Sequence, residues 1–298
     1  MEHVRTLSRE FATGDKAVLH LESRSGEVIV EGRETDRVAV DAVVRVWTDL
    51  STDADDAAAL VERNMEQDGH RVIIRAPTLD QREGWGALFG RSPRIDYHVR
   101  LPRHSAVRVL SRSGAVQIAH VEGVVHSEAL SGKIGIEDVK GDVSVVSRSG
   151  NVLIERITGD VIAEARSGKL RLNQVEGIAQ LEARSGTIEA EQVKGDLRIT
   201  ARSGTVNIEH PGGKVHLRAH AGSVRFKGRV FDDVEIEANA GSITFAADPD
   251  FPFFVEAESS VGSVRSDLRP RRNGVVPPAG GPRVRLRTRA GSIRLTKM

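Results

Sequence analysis

Five arginines occupy equivalent places in a recurring tripeptide. Arg112, Arg148, Arg166, Arg184 and Arg202 each precede Ser-Gly, and Arg24 opens an earlier copy. A row of guanidinium groups is a binding surface for a polyanion: an acidic glycan, a nucleic acid or a phosphate-bearing surface. A second reading competes with it. Glu164 and Glu182 stand two residues before Arg166 and Arg184, and Glu22 and Glu128 recur at the same place. Alternating rows of Glu and Arg neutralise one another across strands, stabilise a sheet modestly and do little else. In either case the serine adds a local turn hydrogen bond, and the glycine takes a positive φ at a corner.

Other chemistry-bearing residues are sparse. Trp85, Leu88 and Phe89 lie among glycines in "REGWGALFGRSP", residues 82–93. They form either an exposed adhesive tip or a plug folded back over an end, and an apolar cluster of this kind has meaning only if exposed. Arg283, Arg285, Arg287 and Arg289 alternate in "RVRLRTRA" and make a basic interaction surface. His216 and His220 share a strand face but stand about 13 Å apart, so they cannot share a metal. His120 and His210 are equivalent positions in distant repeats. The carboxylates are dispersed, with no Asp/Glu/His cluster that would mark a catalytic groove. "GVVPPAGGP" lacks the Gly-Lys-Ser/Thr ending and following helix of a phosphate loop. No catalytic residue, metal site or cofactor is expected. The chain has no Cys, which excludes disulfides, thiolate zinc and a cysteine nucleophile.

Of 298 residues, 39% are hydrophobic and only 4% aromatic, which favours a thin core of small aliphatic side chains. The net charge of +1 is uneven. Residues 265–298 hold ten Lys/Arg and one acid, Asp267, for +9; the rest hold 33 basic and 41 acidic residues, for −8. Opposite ends of this kind can associate head to tail. The N-terminus has no apolar signal region, and no run of about 18 apolar residues occurs. A soluble cytoplasmic protein is expected, with peripheral association to the envelope as the alternative.

The elements that must position these residues come from a repeat. Gly114, Gly132, Gly150, Gly168, Gly186, Gly204 and Gly222 recur at one constant interval. Gly241, Gly262 and Gly291 continue the series with insertions, and Gly26 is an isolated first member. Around Gly168, Val161, Ala163 and Ala165 alternate with polar residues, as do Leu170 and Leu172, and Val175 follows. Period-two alternation predicts short strands with one buried face, and the glycine-containing gaps predict turns. Each repeat then holds two strands and two turns, and only stacking buries its apolar stripe. The expected fold is all-β: a single-stranded parallel β-solenoid (β-helix) with 18-residue coils and two main sheets. Ser147, Ala165, Ala183, Ala201 and Ala219 suit a narrow inward corner. An antiparallel meander and a triangular left-handed helix are the competitors.

Residues 1–104 predict strands and a small helix-bearing N-terminal cap, continuous with the repeat over 105–298. "STDADDAAALVERNMEQDG" predicts a helix capped by Ser51 or Thr52, with Asp53, Asp55 and Asp56 in its first turn. Ala57, Leu60, Val61 and Met65 share a face, and Gly69 is the stop. At the other end "RVRLRTRAGSIRLTKM" turns Val284, Leu286, Ile293 and Leu295 inward and leaves an arginine-rich edge strand.

The stretches "AVLHLESRSGEVIVEGRETDRVAV" and "YHVRLPRHSAVRVLSRSGAVQI", the Ser-Gly-X-Val-X-Ile units and the Gly-Asp-Val starts at 141–143 and 159–161 carry a resemblance. The chain resembles a bacterial β-strand-repeat family of unknown function described as adhesin-like. The resemblance covers nearly the whole chain. It implies the repeat scaffold and carries over no catalytic residues; the adhesin description is itself an inference from the fold. The expected function is a non-enzymatic scaffold or interaction module that self-associates end to end or takes a protein partner. The alternative is an adhesin-like binder of acidic glycan or envelope polymer; a carbohydrate-active β-helix enzyme is the remaining reading. Specific nucleic-acid recognition is not expected.

Overall fold

The computed structural model describes residues 1–48, 51–77, 93–248, 253–268 and 281–298. The chain is all-β, mostly strands with one helix among the described residues. It divides into two compact units, Met1–Val146 and Ser147–Met298.

In the first unit β1 (Glu2–Ala12), β2 (Val18–Ser25), β3 (Val28–Arg33) and β4 (Arg37–Trp47) precede helix α1 (Ser51–Arg63). Strands β5 (Met65–Asp68), β6 (Arg71–Ile74), β7 (Arg94–Pro102), β8 (Ala106–Val121) and β9 (Val125–Val139) follow. β2 pairs in parallel with β6 and with β8, so Leu19 has Val72 on one side and Val107 on the other. β3 pairs likewise with β7 and β8. Residues 18–33 therefore form a coil laid directly on β8, and Gly26 is a full member of the glycine series. Its carbonyl oxygen would lie 1.8 Å from a Cβ placed on Gly114.

The segment between β3 and β8 is an excursion from the coil. β4 pairs antiparallel with both β1 and β7, and β5 with β6. The helix buries Ala54, Ala57 and Val61. Arg9 on β1 donates from Nη1 to the carbonyls of Glu62 and Met65 at 3.1 and 2.7 Å, where the end of a helix leaves carbonyls unpaired and favours a cation. Two expectations change here. Met65 lies in β5, two residues past the helix end at Arg63, and Gly69 (φ 58°) makes the β5–β6 turn rather than the helix stop.

β10 (Val143–Ile157) runs on into the second unit. There β11 (Val161–Ser167), β12 (Lys169–Val175), β13 (Ala179–Val193), β14 (Leu197–Glu209), β15 (Val215–Gly228) and β16 (Val234–Ala247) succeed one another. β17 (Phe254–Val261), β18 (Val264–Ser266), β19 (Arg283–Ala290) and β20 (Ile293–Lys297) complete it. Pairing is parallel at an offset of one repeat: Leu170 opposite Ile188, Ile188 opposite Val206, Val206 opposite Val224. Each apolar position thus meets its own equivalent, and the buried stripe is continuous. Phe226 and Phe245 stack with ring centroids 4.4 Å apart, close to the range of favourable offset stacking.

The sequence read each glycine gap as a turn between two strands. In β13 to β16 the strand instead runs through the glycine, and Gly186 pairs with Gly204 and Gly204 with Gly222. With φ of 124° and 125° at Gly186 and Gly204, the backbone bends without leaving the ladder, a conformation open to glycine alone. The second corner carries no such mark in the sequence. His120, Asp138, Arg156, Gln174, Gln192 and His210 all have φ between 52° and 60°. Each lies one repeat from the next, just before an inward residue such as Val175. The left-handed residue absorbs the odd step from Leu172 to Val175 that strict alternation would turn outward.

The last coil is out of sequence order. β16 pairs with β19 and β20, and β17 and β18 pair with β19 and β20 from the other side. The arginine-rich strand expected at the edge lies between two neighbours, and β17 is outside it. Val284, Leu286, Ile293 and Leu295 are buried as expected.

Candidate functional site

The Arg-Ser-Gly tripeptide is a coil-to-coil fastening. In the second unit Ser167, Ser185 and Ser203 donate from Oγ to the carbonyls of Arg148, Arg166 and Arg184 at 3.1, 3.2 and 3.1 Å. In the first unit Ser113 reaches the Arg24 carbonyl at 3.2 Å and Ser131 the Arg112 carbonyl at 3.4 Å. The serine therefore bonds to the arginine of the preceding coil, not within its own turn as the sequence suggested. Aspartates do similar work at the other corner: Asp160 and Asp196 accept the amides of Ile178 and Lys214 at 2.8 and 3.1 Å.

These bonds align the arginines. Ala165, Ala183 and Ala201 stand opposite one another, as do Ser185 and Ser203. Arg148, Arg166, Arg184 and Arg202 therefore lie on adjacent coils of the second unit. All four are exposed, as is Arg112 in the first. Among the described residues none of the five makes an ion pair. The expected neutralisation by the glutamate row does not occur. Glu164 stands opposite Glu182, acid against acid. The physical reason is position: each acid is on the flat of its strand, and each arginine stands at the corner where the glycine bends the chain.

Cations elsewhere on the same unit do pair. Lys169 and Arg171 reach Glu189 at 2.8 and 3.8 Å, and Lys194 reaches Glu176 at 2.6 Å. In the first unit Lys140 holds Glu122 at 2.7 Å, and that hydrogen bond keeps the Glu122 carboxyl below its ordinary pKa.

The C-terminal arginines are placed differently from expectation. Arg285 lies between Glu235 on β16, at 3.8 Å, and Glu256 on β17, at 3.5 Å. Arg287 reaches Glu258 at 3.9 Å and stands opposite Glu237. These two bind the chain's own acids. The Arg283 amide donates to Asp233 at 2.8 Å. Arg289 is exposed on β19. Trp85, Leu88 and Phe89 lie outside the described residues.

Histidines face single partners: His216 meets Glu235 at 3.0 Å, His120 meets Asp138 at 3.2 Å and His220 meets Asn239 at 3.1 Å. Among the described residues no three His, Cys, Asp or Glu stand together as a metal site. Nor is any described helix long and apolar enough to cross a membrane. The chemistry on display is thus a row of unpaired guanidinium groups on a β-repeat support.

Such a protein is a β-rich repeat fold carrying these charges on its exposed positions. The chain belongs to the Toastrack family of unknown function: the family model described as Toastrack DUF4097 matches residues 49–276. The resemblance read from the repeats is thereby confirmed. No curated protein matches the chain. Among solved structures, a candidate cell adhesion protein of Clostridium sporogenes ATCC 15579 aligns over 99% of this chain and 100% of its own, at 10% identity and a TM-score of 0.25. A likeness at that level says nothing about what this chain binds.

Proposed function

We propose that the chain is a non-enzymatic interaction scaffold that engages an acidic glycan or related envelope polymer through its exterior. In this reading the coils are those of a parallel β-solenoid with two main sheets, and β1, β4 and α1 form the N-terminal cap. The observation that carries it is the register. Outward positions one repeat apart lie side by side, as Gln180 with Arg198 and Glu189 with Asn207. One residue type repeated in the sequence becomes a row on the surface, and a row suits a repeating ligand through multivalency.

The test is co-sedimentation of the full chain with insoluble acidic and neutral envelope polysaccharides, with an assay for released reducing ends. Retention on acidic polymer without cleavage supports the proposal. Cleavage overturns the non-enzymatic reading, and equal indifference to every polymer overturns the binding one.

Head-to-tail association through the basic C-terminus has less support, because Arg285 and Arg287 already face acids of their own chain. The expected result in analytical ultracentrifugation is a monomer at both about 50 mM and about 500 mM salt, where screening lengths differ several-fold. Oligomers that dissolve as salt rises would restore the electrostatic association.

A further inference from the structure

We infer that Arg148, Arg166, Arg184 and Arg202 form the contact line for a linear carboxylated polysaccharide, one uronate ring to each arginine. The inference rests on the interaction-scaffold reading and specifies its site and ligand.

Adjacent parallel strands stand about 4.8 Å apart, close to the rise of one sugar ring in an extended chain. Four arginines on four adjacent coils thus span about 14 Å. Each guanidinium is a fork of donors suited to a carboxylate, and none of the four is engaged by a described acid. Like charges on neighbouring strands oppose one another. A carboxylate between successive guanidiniums relieves that repulsion, so the row is electrostatically suited to an anion.

The residues beside the row select the kind of anion. One residue past each corner glycine stand Asn151, Thr187 and Thr205, which offer hydrogen bonds to hydroxyl groups, and Lys169, which holds Glu189 at 2.8 Å. On the other side Glu164 and Glu182 are exposed. Their carboxylates accept hydrogen bonds from sugar hydroxyls and repel a densely charged backbone. A polymer with one charge per ring and many hydroxyls satisfies both sides, whereas a nucleic acid meets the acid row with its phosphates. Past Arg202 the series continues as His220, hydrogen-bonded to Asn239 at 3.1 Å, so the line of four fixed charges ends there.

The test uses the full chain and oligogalacturonates of increasing length in a calorimetric titration at about 150 mM salt, where the screening length is about 8 Å. Affinity is expected to rise with each ring up to about four and then level off, following the line of about 14 Å. The fourfold variant Arg148→Gln, Arg166→Gln, Arg184→Gln, Arg202→Gln is expected to bind about 100-fold more weakly. It should also melt no lower than the parent, since repulsion is removed. A control variant removes the same charge from cations that already hold acids: Arg171→Gln, Lys194→Gln, Arg218→Gln, Arg229→Gln. It should bind within about threefold of the parent, because screened surface charges away from the contact contribute little.

Equal weakening by both variants would show attraction to net charge and overturn the contact line while leaving the scaffold reading intact. No binding of oligogalacturonate, alongside retention on another envelope polymer, would overturn the ligand class. Tighter binding of single-stranded DNA than of the uronate oligomer would overturn the selection argument.

Discussion

Gly186→Ala is expected to lower the melting temperature of the second unit by roughly 10 °C. Two costs act together. A Cβ on Gly186 would lie 1.9 Å from the carbonyl oxygen of Gly168 and 3.0 Å from its carbonyl carbon. Both are backbone atoms held in the ladder, so no side chain can swing aside. The residue also has φ of 124°, which an L side chain adopts only under strain. Strain of roughly 1–3 kcal/mol adds to an overpacking cost of similar size. Gly14→Ala separates the two terms: Gly14 has φ of 76°, and a Cβ there would meet nothing within 4 Å. The comparison, by circular dichroism melts, should show Gly14→Ala costing clearly less. Equal costs would mean that close stacking of glycine on glycine is not what the column requires.

Removing residues 281–298 is the second large change. β17 and β18 pair with β19 and β20 alone among the described strands, so the truncated chain leaves them without a ladder partner. The same cut exposes the edge of β16, where Val234, Ile236, Ile243 and Phe245 are now buried. Direct docking of β17 on β16 would not repair the loss. Register would then set Glu235 against Glu256 and Glu237 against Glu258, since each pair now flanks one arginine. The expected outcome is rapid proteolysis within 253–268 and a melting temperature lower by roughly 10 °C or more. A full-length Arg285→Glu, Arg287→Glu variant keeps the backbone pairing and reverses the charges. Its expected cost is smaller, roughly 1–3 kcal/mol, because exposed cross-strand pairs are each worth little. A truncated chain that melts with the parent would show that the inserted coil is dispensable.

The repeat and its parity were legible because the residues announce them. Val161, Ala163, Ala165, Leu170 and Leu172 alternate cleanly, and each packs against its equivalent in the following repeat. The left-handed corners were less legible. His, Asp, Arg, Gln and Gln share no chemistry that marks the site. The three-residue step from Leu172 to Val175 was the available signal, because a parity change in a strand demands a bulge or a left-handed residue. β1 escaped notice for a related reason: the face it turns to the protein carries His3, Arg5 and Arg9 beside Leu7 and Phe11, so polar and apolar residues do not alternate. Gly69 misled because a glycine after a helical pattern fits a helix stop as well as a hairpin turn. The order of the last coils could be found only by asking which neighbour Arg285 and Arg287 need, and both answers are strands bearing Glu at alternate positions.

For the site, the sequence supplied the arginine row and the rival glutamate row. It could not decide between them, because pairing depends on whether two outward residues share the flat of a strand or stand on either side of a bend.

These arginines stand side by side on adjacent parallel strands, as the flanking pairs Ala183–Ala201 and Ser185–Ser203 require. The chain has no native Cys, so an engineered pair reports without interference. Strand neighbours about 4.8 Å apart fall within the Cα separation of about 4.4–6.8 Å that a disulfide tolerates. Arg184→Cys with Arg202→Cys, under mild oxidation of the monomer, is predicted to close an intramolecular disulfide readily, seen by mass spectrometry of a tryptic digest. Arg184→Cys with Arg198→Cys, displaced along the neighbouring strand, is predicted to stay reduced. Failure of the first pair to close, or equal closure of both, would contradict the register on which the row of arginines depends.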